Sequence, residues 1–166
     1  MNNQYYLGID VSKGNADFII LDSNKKIIEN NFQLDDTFEG HNKLYKLLSS
    51  FLSKNPNSEI YCGLESTGGY ENNWYSSLSN FQGKLNLSVS RVNPYGVNYN
   101  SKASLKRITT DKESAKNVAS YLISHTDKIN YQKQDRFSSL RKQWTFIKML
   151  TKQRVQLVNQ LESLLY

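Results

Sequence analysis

The sequence predicts an α/β domain, a mixed five-stranded sheet with flanking helices, followed by a long C-terminal helix. Three observations carry this expectation. Short apolar runs rich in Tyr, Ile, Leu and Val alternate with segments whose apolar residues recur every three to four positions. The first three runs are separated by only a few residues, which forces antiparallel pairing, whereas later runs return through a helix and so run parallel. Near residue 137 the apolar spacing changes to a heptad and holds that period to the end of the chain.

Taken in order, Tyr5–Val11 reads as a largely buried strand and Ala16–Leu21 as a second, after a turn through Ser12-Lys13-Gly14-Asn15. Asp22-Ser23-Asn24-Lys25 is turn chemistry, and Lys26–Phe32 makes a third strand. Thr37–Lys54 then sets Phe38, His41, Leu44, Leu47, Leu48 and Phe51 on one helical face. Thr37 is expected as N-cap, Gly40 as a weak spot, and Asn55-Pro56-Asn57 as the stop. Glu59–Leu64 is the fourth strand, Tyr70–Phe81 a helix and Leu85–Val92 the fifth strand. Pro94 is expected to break the chain, and Thr110–Ser124 to form a helix buried through Ala115, Val118, Ala119 and Leu122. This order of elements is that of ribonuclease H-like domains. It suggests a domain over residues 1–130 and the start of a helical arm over 137–166.

The arm carries Leu140, Ile147, Leu150, Leu157, Leu161 and Leu164 at a and d positions, with Gln143 and Arg154 as polar members. At ~1.5 Å per residue it is about 40 Å long, and a coiled-coil dimerisation arm is expected through residues 140–166. The heptad pattern runs to Tyr166 without a cap, so a natural protein that continues is expected.

The 166 residues carry a net charge of +6 that is unevenly placed. Residues 1–90 hold 7 basic against 10 acidic residues, and residues 91–166 hold 14 against 5. A basic second half points to a polyanionic partner. No apolar stretch approaches the roughly 20 residues of a membrane span, and no signal peptide is visible at Met1-Asn2-Asn3-Gln4. A single cysteine, Cys62, in an apolar run reads as a buried thiol of a cytoplasmic protein. With only His41 and His125, a His-rich metal site or a Ser-His-Asp triad is disfavoured.

Asp10 lies at the end of the first strand, in Gly8-Ile9-Asp10-Val11-Ser12-Lys13, and Glu65 ends the fourth in the same way. Either alone reads as a turn residue. Strands one and four are neighbours in a ribonuclease H-like sheet, so the two carboxylates should meet, and together they can share a divalent cation. Asp111 opens the helix that follows Lys106-Arg107-Ile108-Thr109-Thr110, a place the helix dipole alone favours for an acid. Lys102, Lys106, Arg107, Lys112 and Lys116 surround it, and Lys13 follows Asp10, as a site that grips phosphates requires. Ser66-Thr67-Gly68-Gly69 reads as a strand-to-helix turn rather than a phosphate loop, and Arg91, Tyr95 and Tyr99 as ordinary surface or core residues rather than base-stacking groups.

Gly-Ile-Asp-Val-Ser-Lys at Asp10, Glu-Ser-Thr-Gly-Gly-Tyr at Glu65, the Val92-Asn93-Pro94 turn and Thr110-Asp111-Lys112-Glu113-Ser114-Ala115 occur in this order. Together they resemble the N-terminal domain of DEDD-type insertion-sequence transposases, relatives of the Piv DNA invertase, over nearly the whole chain. The resemblance implies a RuvC-like ribonuclease H fold in which four acids bind Mg²⁺, with Mn²⁺ as an alternative. A coiled coil and a second domain with a nucleophilic serine would follow, and DNA would be the partner, guided in some members by a structured RNA. It further implies Asp10, Glu65 and Asp111 as ligands and position 114 as the fourth acid, where this chain has Ser114. Glu113 lies about 200° round the helix from Asp111 and is a poor substitute, so a second metal is expected to bind weakly.

Two functions therefore compete. One is the metal-binding catalytic domain of a transposase or site-specific recombinase, with little strand transfer expected from this chain alone. The other is a non-catalytic nucleic-acid-binding and dimerisation module with a degenerate site, which Ser114 favours. An actin-like sugar kinase, suggested by Gly8-Ile9-Asp10-Val11-Ser12, lacks a convincing second phosphate loop.

Overall fold

The structure, a computed structural model, describes residues 3–66, 68–103, 111–126 and 137–165, without the side chains of Ala103, Asp111, Lys112 and Ser138. The elements are β1 (Asn3–Ser12), β2 (Asn15–Asp22), β3 (Ile27–Asp35), α1 (Phe38–Lys54), β4 (Ser58–Glu65), α2 (Asn72–Phe81), β5 (Leu87–Val92), α3 (Pro94–Ala103), α4 (Asp111–Ser124) and α5 (Ser138–Leu165). Two compact units result, one within residues 1–132 and one within 133–166.

The first unit is built on a sheet of order β3-β2-β1-β4-β5. β1–β2 and β2–β3 pair antiparallel, and β1–β4 and β4–β5 pair parallel, so the meander and the two helical crossovers are all realised. Because side chains alternate across a strand, each sheet face has its own core. Leu7, Ile9, Phe18, Ile20, Ile60 and Leu64 pack with Leu44 and Leu48 of α1 and Trp74 and Leu78 of α2. Tyr6, Ile19 and Leu21 on the other face pack with Ala115, Val118, Ala119 and Leu122 of α4 and Val97 of α3. Cys62 is buried in the first core, and burial pushes its thiol pKa well above the ordinary value.

Two glycines let α4 lie directly on the strand backbone. A Cβ on Gly8 would collide with the Ala115 carbonyl oxygen, and one on Gly63 would come within 2.6 Å of Leu122. Gly40 has a similar role: a Cβ there would run into the Asp35 carbonyl, so this glycine is a close-approach residue and not the weak spot its helix propensity suggests. Thr37 is the N-cap of α1, its Oγ1 accepting from Gly40 N at 3.1 Å.

One expectation is overturned. Pro94 does not break the chain but opens α3. Proline fits the first helical position, where its missing N–H is one the helix does not use. Asn93 caps the same turn, accepting from Tyr95 N at 3.0 Å.

The second unit is α5, whose 28 residues keep the heptad seam exposed: Leu140, Ile147, Leu150, Leu157, Leu161 and Leu164 all face water. No helix among the described residues is long and apolar enough to cross a membrane.

Candidate functional site

The candidate site lies at the C-terminal ends of β1 and β4. In the parallel register Ile9 pairs with Leu64, so the next step along both strands sets Asp10 beside Glu65. Both side chains lie on the α4 face, since Leu7, Ile9 and Leu64 point into the opposite core. Burial raises the Glu65 pKa above the ordinary carboxylate value, and the negative charge of Asp10 pushes it further up. Two carboxylates held this close are a site that gains from a cation.

A third acid joins this row, and sequence reasoning missed it. Asp17 pairs with Asp10 across the β1–β2 ladder and is 8% exposed, so its carboxylate lies buried on the same face one strand over. Gln33 Nε2 donates to its Oδ2 at 3.4 Å. The signal was present in Ala16-Asp17-Phe18-Ile19-Ile20, where an acid interrupts an otherwise apolar strand.

α4 runs antiparallel to β1. Ala115 and Ala119 lie over Gly8, while Ser124 Oγ, near the helix C-terminus, accepts from Lys25 Nζ in the β2–β3 turn at 3.1 Å. Its first turn, opened by Asp111, is thereby directed to the sheet end that carries Asp10 and Glu65. The Asp111 side chain lies outside the described residues, and among those described no three acidic, His or Cys groups converge on one point. Ser114, immediately before Ala115, is partly exposed. Of the predicted phosphate-binding residues, Lys13 is exposed in the β1–β2 turn, Lys102 is exposed at the end of α3, and Lys116 is half-buried on α4. Lys106, Arg107 and the Lys112 side chain lie outside the described residues. Neither histidine is in the row: His41 Nε2 lies 2.7 Å from Asp36 Oδ1, and His125 Nδ1 donates to the Tyr121 carbonyl at 3.1 Å.

The turn that follows Glu65 is clamped by a residue the sequence did not single out. Glu71 is buried at the start of α2, and its carboxylate folds back on the turn. It accepts from Ser66 Oγ at 3.2 Å and from Gly69 N at 2.9 Å, while Arg91 Nε lies 3.8 Å away. Gly68 and Gly69 hold positive φ angles of 79° and 112°, which this turn requires. The Gly69 N–H and the Ser66 hydroxyl are thus already taken by a carboxylate, which supports the plain-turn reading over a phosphate loop. Arg91 is committed to the same network. Its Nη2 donates to Asn72 Oδ1 at 2.8 Å, and its guanidinium sits 3.9 Å from the centre of the Tyr75 ring. Glu71→Ala leaves the Gly69 N–H unpaired and Arg91 without its counter-charge. It is expected to cost about 3 kcal/mol in urea denaturation. Unchanged stability would show that the clamp carries no weight.

Comparison with known proteins agrees with this fold. Thermus thermophilus RuvC has 8% sequence identity to the chain and a TM-score of 0.52, covering 74% of this chain and 94% of its own. T. thermophilus RuvC in complex with a Holliday junction substrate gives 9% identity and a TM-score of 0.50, covering 75% of this chain and 95% of that one. At such identities the likeness is one of fold, a RuvC-like ribonuclease H fold. No curated protein sequence matches the chain. The family model for DEDD-type insertion-sequence transposases, described as "Transposase", matches residues 7–166, so the chain belongs to this transposase family.

Proposed function

We propose that this chain is the metal-binding domain through which a transposase cuts and joins DNA, with Asp10, Glu65 and Asp111 as ligands for Mg²⁺, or alternatively Mn²⁺. The observation that carries the reading is the juxtaposition of Asp10 and Glu65 at adjacent strand ends, with the Glu65 pKa raised by burial and by its neighbour. A donor set made only of carboxylate oxygens suits a hard divalent cation. When bound, Mg²⁺ supplies Lewis-acid polarisation of a phosphoryl oxygen and eases deprotonation of the attacking group. The chain's own residues do the rest. Asp10 and Glu65 would hold the ion at the C-terminal ends of β1 and β4, while Lys13, Lys102 and Lys116, with Lys106, Arg107 and Lys112, would hold backbone phosphates. The exposed seam of α5 pairs with a second copy through residues 140–166, and a structured RNA is a further candidate partner for the basic surface. Ser114, where the family pattern has a fourth acid, favours the second reading, a nucleic-acid-binding and dimerisation module without catalysis.

The pH dependence of metal binding tests the proposal. Metal and proton compete for Glu65, so Mn²⁺ affinity should fall as pH drops through its raised pKa, by about tenfold per pH unit for one displaced proton. Stability of the metal-free protein should move the opposite way. Folded Glu65 holds its proton more tightly than unfolded Glu65, so stability rises as pH falls from above the folded pKa toward the ordinary carboxylate value. Calorimetric Mn²⁺ titration and thermal melts across pH check both. Binding that ignores pH, or that survives Glu65→Gln unchanged, contradicts the proposal.

A further inference from the structure

Helix α3 packs against α4 on one side and is open on the other. A Cβ on Gly96 would lie 2.7 Å from the Tyr121 hydroxyl, Val97 is buried, and Asn117 Nδ2 donates to Ser101 Oγ at 3.1 Å. These contacts pair rising numbers on α3 with falling numbers on α4, so the helices run antiparallel. The end of α3 that carries Lys102 therefore meets the start of α4, the end directed to the strand ends bearing Asp10 and Glu65.

The open side presents Tyr95, Tyr99 and Lys102, spaced i, i+4 and i+7 on one stripe. Tyr95 is 67% exposed and Tyr99 58%, and neither belongs to either core. Their ring centres are 4.7 Å apart at an interplanar angle of 57°, and their hydroxyls lie 3.1 Å apart, so each holds the other in place. Two large rings kept in water are costly unless something stacks on them. The neighbouring exposed residues are Asn98 and Lys102, an amide and a cation, and α3 has no acidic residue. Aromatic faces beside hydrogen-bonding and positive groups match a nucleic-acid strand better than an apolar protein surface, and the net +9 of residues 91–166 has the same sign preference.

We propose that Tyr95 and Tyr99 form a stacking platform for unpaired bases of a nucleic-acid strand, with Lys102 on the adjoining phosphate. This rests on the nucleic-acid part of the reading above and is independent of the metal. The test is binding of a labelled single-stranded oligonucleotide and of a duplex to the full chain in EDTA. Tyr95→Ala with Tyr99→Ala should weaken single-strand binding about 10- to 100-fold and duplex binding far less. Phe at both positions should retain single-strand binding, because the ring face and not the hydroxyl is used. Lys102→Ala should lower the salt dependence of single-strand binding by about one phosphate contact. Both tyrosines are exposed, so melting temperatures should not change.

The proposal is overturned if the double alanine variant binds single strands as well as the original chain, or if Phe fails as badly as Ala. It is equally overturned if the original chain binds no single strand, an outcome that leaves the Mn²⁺ titration free to support or reject the metal reading. A double variant with unchanged oligonucleotide binding but altered sedimentation would reassign the stripe to a protein contact.

Discussion

Asp10→Asn should reduce Mn²⁺ affinity by at least about 100-fold while leaving the fold intact. Asp10 sits where β1 meets β4 on one side and β2 on the other, so it is the central member of the Asp17–Asp10–Glu65 row. Outer groups that only orient a ligand are worth 10- to 100-fold in metal affinity, so a ligand at the centre of the row sets the floor of the expected loss near the top of that range. Asparagine keeps the size and the strand pairing but removes the charge, which separates a lost ligand from a lost fold. It also removes the like charge that helps raise the Glu65 pKa, so Glu65 should titrate closer to the ordinary carboxylate range. Isothermal titration with Mn²⁺ reads the lost affinity, and thermal melts read the intact fold. Unaltered metal binding in this variant would remove Asp10 from the site.

Ser114→Asp should act in the opposite direction and tighten metal binding about tenfold or more. Ser114 is three residues after Asp111, a spacing that puts both on one helical face, and it directly precedes Ala115, which lies over Gly8. A serine hydroxyl is a neutral ligand, whereas a carboxylate there adds a charged oxygen donor to a hard-cation site. The gain has a cost. A further negative charge near Asp10 and Glu65 should destabilise the metal-free protein, so the gap in melting temperature between metal-free and metal-loaded forms should widen. Ser114→Asn is the control, because it matches the size without the charge. Equal tightening by Asn, or none by Asp, would mean that position 114 does not reach the metal.

Much of this site was legible in the sequence because strand ends are marked by chemistry. Asp10 and Glu65 each close an apolar run, and the meander-then-crossover order makes their strands neighbours, which the β1–β4 register bears out. α4 was legible through the spacing of Ala115, Val118, Ala119 and Leu122, all fully buried. What escaped depends on contacts between distant segments. Asp17 was passed over because a strand assignment does not weigh which face an acid lands on. Glu71 was missed because its partners, Ser66, Gly69 and Arg91, meet only after β4, the turn and β5 are assembled. α3 was hidden by Pro94, a residue that ends helices from within and starts them at the first position. The tyrosine stripe could not be separated from nine other tyrosines until their exposure was known.

The most direct test of the metal site is anomalous diffraction from crystals of the chain soaked in Mn²⁺. An anomalous peak is expected at the Asp10 and Glu65 carboxylates, and its loss is expected in Asp10→Asn crystals. A saturating soak that leaves the C-terminal ends of β1 and β4 without a peak, or places Mn²⁺ only elsewhere, would remove Asp10 and Glu65 as ligands.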